Sequence, residues 1–153
     1  MHRASRYATC PSQMCWKELG AYILAFTFSI LVITYLLNIP AIITQNPTIV
    51  RGYYYNRAWP NLLLDLFFVA VYLLVAAAII KILKIEKTSS KFIVVIATTL
   101  AITSSWCAYF RNQPVTSAFF SQWFNTVGYS SALYDAILIG FTYLVYERIL
   151  EWL

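Results

Sequence analysis

The chain has 153 residues, of which 61% are hydrophobic and only 11% charged, with a mean hydropathy of +0.67. Soluble domains carry about a quarter of their residues charged, so this composition excludes one and points to a single lipid-exposed domain. The formal net charge of +5 is scattered and forms no basic stripe beside stacking aromatics, so nucleic acid is not an expected partner and anionic lipid headgroups are.

Residues 1–15 form a polar leader with Arg3 and Arg6, positive like the flank of a signal peptide. The apolar run behind it is too long for a signal core and lacks a small-x-small cleavage site, so the leader reads as retained. Cys10 and Cys15 do not have C-x-x-C spacing, Cys107 falls inside an apolar run, and His2 is the single histidine. No zinc or haem ligand set can be built from these, no metal or other cofactor is expected, and the thiols read as unmodified.

The first predicted span covers residues 16–38. Trp16, beside Lys17 and Glu18, stands at its mouth as an interfacial anchor, and Ala21, Ala25 and Ser29 recur every fourth residue along it. Ile39-Pro40 ends or kinks the helix. Residues 41–60 are a linker rich in Asn, Pro and Tyr, with Arg51, Arg57 and no acid, running through Gly52-Tyr53-Tyr54-Tyr55 to a second anchor, Trp59. A segment lying along the headgroups is predicted there; a ligand-binding aromatic patch is the alternative.

Pro60 suits the first turn of the second span, residues 61–80, whose one charge is Asp65. Residues 81–91 then carry Lys81, Lys84, Lys87 and Lys91 against Glu86, a basic loop at the membrane surface with its lysines on lipid headgroups. The third span, residues 92–110, is uncharged and rich in hydroxyls (Thr98, Thr99, Thr103, Ser104, Ser105) that can bond their own backbone and that favour burial against protein. Ala97, Ala101 and Ser105 make a second short ladder of small residues. Arg111-Asn112-Gln113-Pro114 breaks this helix, and an aromatic stretch follows with Trp123 as a third anchor. The fourth span, residues 127–146, has the most regular ladder, Gly128, Ala132, Ala136 and Gly140, a thin face on which a helix of this chain or of a partner can close.

Basic residues set the predicted topology. Eight (Arg3, Arg6, Lys17, the four loop lysines and Arg148) fall on the side of the termini and loop, against three (Arg51, Arg57, Arg111) on the other. That bias puts both termini in the cytoplasm, with four transmembrane helices arranged as two repeated hairpins. In each half an aspartate sits in the outer part of the second helix: Asp65 about a turn inside, Asp135 about two turns deep beside Tyr134. An unpaired carboxylate in hydrocarbon is costly, so each needs a partner, either as a hydrogen-bonded packing group or as an ion-handling one; Arg57 and outside water are within reach of Asp65.

Catalysis is not expected. Intramembrane aspartyl proteases also hold two membrane carboxylates, but they carry a G-x-G-D element where this chain has L-L-L-D at Asp65, and they need more helices to enclose a substrate. A redox enzyme would want histidines or a C-x-x-C pair.

The stretches W-P-N-L-L-L-D-L-F-F-V-A-V-Y-L-L (59–74) and W-F-N-T-V-G-Y-S-S-A-L-Y-D-A-I-L-I-G-F-T-Y-L-V-Y-E-R (123–148) resemble small multi-spanning proteins of large icosahedral DNA viruses with an internal membrane. The resemblance spans the second and fourth helices. It implies a virion component seated in that internal membrane, with minor capsid proteins as partners and structural roles for Trp59, Asp65, Trp123, Tyr134 and Asp135. The expected function is accordingly a structural subunit of a larger membrane assembly. The alternatives are a small oligomeric transporter or channel using Asp135, or an accessory subunit of a respiratory complex.

Overall fold

A computed structural model describes residues 12–153, with side chains from Trp16 onward; Arg3, Arg6, Cys10 and the side chain of Cys15 lie outside the described residues. Helix α1 (Ser12–Ile30) runs on into a π-helical turn, Leu31–Leu36; short α2 (Ile39–Thr44) and α3 (Pro47–Arg51) lead to a second π-helical turn, Gly52–Asn56. Long α4 (Ala58–Ile82) and α5 (Thr88–Arg111) follow, then α6 (Phe119–Val127) and α7 (Ser130–Trp152). Trp16–Leu36, Ala58–Ile82 and Thr88–Arg111 are long and apolar enough to cross a membrane, with mean hydropathies of 2.0, 2.7 and 1.7. The chain is an integral, multi-pass membrane protein built only of helices among the described residues.

The helix ends follow local chemistry. Asn38 adopts a left-handed conformation (φ 50°) after the first π turn, and Pro40 occupies the first turn of α2, where its missing N–H costs nothing. Asn46 caps α3 by accepting from the Ile49 N–H at 3.2 Å, with Pro47 at the first helical position. The basic connection is shorter than its composition suggests: α4 persists to Ile82 and α5 begins at Thr88, leaving five residues with Lys84 at φ 51° as the turn. Lys81, Lys84 and Lys87 are exposed and Lys91 half-buried.

Helix α7 is the centre of the bundle. It packs along α1 on one side and α5 on the other, while α5 packs in turn against α4. It is not among the three helices apolar enough to span by composition. A helix surrounded by other helices meets little lipid and can afford Ser131, Thr142 and Tyr143 in its buried face. Helix α4 is the opposite case, with only 17% of its most apolar window buried. Leu63, Phe67 and Leu74 point outward from it, as lipid requires.

Of the two predicted hairpins only the second is a packing unit, with α5 lying along α7. Helices α1 and α4 share little surface, being joined chiefly where the Tyr22 hydroxyl donates to the Leu66 carbonyl. The two halves therefore do not repeat one another in space.

The small-residue ladders sort differently from their spacing. On α7, Ala132, Ala136 and Gly140 are all buried within the chain. A Cβ at Gly140 would lie 2.7 Å from Ile96 Cδ1 and 3.3 Å from Phe92 Cε2, so α5 closes directly on that glycine. Gly128 does not belong to the ladder. It ends α6 at φ 62°, ahead of the first turn of α7, in a conformation that an L side chain resists. Ala21, Ala25 and Ser29 on α1 are buried, but Ala97, Ala101 and Ser105 on α5 face outward. The buried face of α5 is Val95, Thr98, Thr99, Thr103 and Cys107, one helical stripe away.

Candidate functional site

The half of the bundle away from the basic connection holds a cavity of about 270 Å³. Its walls are the first half of α4, the last turns of α5, the first half of α7, helix α6 and the second π turn. Both membrane aspartates line it. Asp65 follows Ala58, the start of α4, by seven residues, about 10 Å along the axis; Asp135 follows Ser130 by five, about 8 Å. Counted from the helix starts, Asp65 lies further along its helix than Asp135, because α4 starts earlier and α7 later than the apolar runs do.

Asp65 is held by the linker and not by Arg57, which is exposed. The Tyr53 hydroxyl donates to Asp65 Oδ1. The Tyr54 hydroxyl lies beside the same carboxylate, but its proton is committed to the Tyr134 hydroxyl at 2.7 Å. Asp65 Oδ2 is buried with no hydrogen-bond partner. A buried carboxylate oxygen without a donor is costly, and such a vacancy in a folded protein calls for an explanation.

Asp135 takes its hydrogen bond from α5: the Thr103 hydroxyl donates to Asp135 Oδ2 at 2.7 Å. Thr103 Oγ1 also lies 3.2 Å from the Tyr72 hydroxyl of α4. Three helices thus meet at one threonine. Thr99 and Ser105 bond their own backbone at Val95 and Ala101, as expected for hydroxyls in a span. Thr103 does not, because a carboxylate stands across from it.

The second π turn carries the largest departure from the sequence expectation. It does not lie along the headgroups: Tyr53 and Tyr54 are buried in the bundle. Their backbone is fastened from both sides, by the Tyr35 hydroxyl to the Tyr54 carbonyl at 2.8 Å and by Asn61 Nδ2 to the Tyr53 carbonyl at 2.9 Å. Tyr134 completes the chain of hydroxyls, 3.0 Å from Thr34 Oγ1 on the first π turn.

Aromatic rings close the rest of the cavity. Trp123, predicted as an interfacial anchor, is only 7% exposed; its ring lies 5.3 Å from that of Tyr53 and 5.8 Å from that of Phe119. Trp16 and Trp59, by contrast, are 72% and 74% exposed. Helix α6 is strongly amphipathic in pattern and lays Trp123, Phe124 and Val127 inward. The Phe124 ring stacks on that of Phe110 at 5.4 Å and 6°. The lining residues include no Lys, Arg or His. Among the described residues, the ion pair of the chain is Arg148 with Glu151, far from the cavity on the last turn of α7.

Spacing along the chain singles out Asp65, Tyr134 and Asp135, and the cavity brings all three together. It does not single out Tyr53, Tyr54, Tyr72 or Thr103. The run of three tyrosines ahead of Trp59 is the one visible signal for the first two, but an interfacial belt has the same composition.

Among the described residues no three His, Cys, Asp or Glu side chains gather at one point, and two carboxylates fall short of the six to eight oxygens that calcium takes. Cys107 is a free, buried thiol. Protein-family models, curated proteins and solved structures alike return no match to this chain.

Proposed function

We propose that this protein is a four-helix membrane protein, with both termini on the cytoplasmic side, that handles a cation at the Asp65–Asp135 cavity. One observation carries the reading: two carboxylates line a single cavity whose walls supply no counter-charge. Ionised carboxylates in such surroundings need a cation or a proton, and the low dielectric makes either a strong ligand. Helix α7 is taken as the fourth span, tolerated despite its polarity because α1 and α5 cover it.

A structural subunit of a larger assembly would need the same helices but not this cavity. Packing carboxylates in such a subunit would have both oxygens satisfied, and Asp65 Oδ2 is not. Cation handling, the transporter-like alternative named from the sequence, therefore accounts for more of the site than assembly does.

The test is flux in proteoliposomes. With a pH gradient imposed, proton movement is followed by a trapped pH dye, and uptake of labelled methylammonium is followed in parallel. Flux of either in the parent, lost in well-assembled Asp65→Asn and Asp135→Asn proteins, is expected. A tight parent, with neither cation moving and both Asn variants behaving as the parent does, overturns the reading.

A further inference from the structure

We infer that the cavity accepts an amphiphilic organic amine in its protonated form, held through Asp65 with its apolar body against the aromatic walls. The inference rests on the cation-handling reading and narrows it to a ligand class. Its first support is the mismatch between the charged groups and the walls. A proton or a bare inorganic ion needs only the carboxylates and a few oxygens. Here eleven of the sixteen lining residues are aromatic, and three more are Val69, Leu138 and Ile139. Walls of this kind match an apolar body, and ring faces attract an ammonium group directly.

The second support is the state of the carboxylates. Asp135 has the Thr103 hydroxyl on Oδ2 and Asp65 has Tyr53 on Oδ1. Asp65 Oδ2 has nothing. An ammonium nitrogen brings up to three donors and a full charge, which is what a partnerless carboxylate oxygen in apolar surroundings lacks. At about 270 Å³ the space falls just below the range of about 300–1,000 Å³ usual for small-molecule sites. A compact amine with one ring fits that scale.

The third support is the one cavity wall that is also part of the outer surface of α5. Trp106 lines the cavity and is also 43% exposed. The same side chain borders a shallow groove on the outer face of α5 with Ala101, Ser105 and Tyr109. That face meets lipid when α5 spans the membrane. A ligand that partitions into the bilayer therefore arrives at the wall formed by Trp106, whereas a hydrated inorganic ion does not.

The experiment uses the full chain in nanodiscs of zwitterionic phosphatidylcholine, which removes attraction to anionic lipid. The probes are 2-phenylethylamine, protonated at neutral pH, and 2-phenylethanol, its neutral counterpart of nearly equal size. Binding is read by calorimetry and by fluorescence of Trp106 and Trp123, with Asp65→Asn measured beside the parent. Saturable binding of the amine, at least tenfold tighter than of the alcohol, is expected. Asp65→Asn should weaken the amine by tenfold or more and leave the alcohol unchanged. Equal binding of amine and alcohol to the parent overturns the inference without any variant. So does an amine affinity that Asp65→Asn does not alter. If the amine shows no saturable binding while proton or methylammonium flux still depends on the aspartates, the ligand class is wrong and the cation site stands. If flux and amine binding are both missing, the cation site falls with it.

Discussion

The Thr103 hydroxyl of α5 donates to Asp135 Oδ2 of α7 at 2.7 Å, and the same Thr103 oxygen lies 3.2 Å from the Tyr72 hydroxyl of α4. This junction joins three helices through one fully buried side chain. Thr103→Val keeps the shape and removes the hydroxyl. It leaves a carboxylate oxygen and a phenol short of a partner, at a cost of about 1–3 kcal/mol. Thr103→Ser should keep most of the stability. Unfolding of purified protein in a denaturing detergent series measures both, and a Val variant as stable as the parent would show that the contact contributes nothing.

Gly140 makes the closest approach of α5 to α7. Gly140→Leu places several atoms where Ile96 Cδ1 and Phe92 already stand, since even a Cβ would meet Ile96 Cδ1 at 2.7 Å. Overpacking of this kind typically costs about 1–3 kcal/mol, and more where backbone has to move. Ala132→Leu should act in the same direction, as Ala132 is buried. Ile137→Leu, on an outward position of the same helix, should be mild. Yield of monodisperse protein after extraction separates the three, and equal yields would contradict the packing described here.

Trp123 and Trp59 test whether an aromatic residue lies inside or at the interface. Trp123→Ala opens a hole beside Tyr53 and Phe119, a loss of about 3–5 kcal/mol for a buried large aromatic. Trp59→Ala removes an exposed ring and should cost far less. Thermal denaturation in one detergent gives the comparison; the reverse ranking would return Trp123 to the membrane surface.

Topology is checked by labelling. Thr48 on α3 and Ser89 at the start of α5 are both exposed, and the basic-residue bias of eight to three places them on opposite faces. With the native cysteines replaced, an impermeant thiol reagent outside sealed vesicles should modify a cysteine at Thr48 and not one at Ser89. Labelling of both from one side is incompatible with four spans.

Asp135 separates a charge requirement from a packing one. Asp135→Asn keeps an acceptor for Thr103, whereas Asp135→Leu removes it and leaves the Thr103 hydroxyl only the Tyr72 hydroxyl to bond. Assembly should therefore fall from Asn to Leu. Cation flux should be lost in both, because the amide cannot carry the charge. An Asn variant that assembles and still moves protons or methylammonium would remove Asp135 from the mechanism.

Composition and hydropathy alone determined that this chain lives in a membrane, that it is helical, and where its long apolar helices run. The physical reason is that lipid leaves a spanning backbone no partner but itself, so apolar length translates directly into helix. Tertiary structure decided everything that depends on which helices touch. Repeats of small residues look alike on α5 and α7, yet only the α7 ladder is covered, because burial depends on neighbours that spacing does not specify. Asp65 and Asp135 stand seventy positions apart and share a cavity only because α4 and α7 both pack on α5 and a π turn folds Tyr53 and Tyr54 inward. Trp123 reads as an anchor until α6 turns it toward Tyr53. In lipid an aromatic or hydroxyl side chain is equally at home against a headgroup, its own backbone or a neighbouring helix, and the fold alone selects among the three.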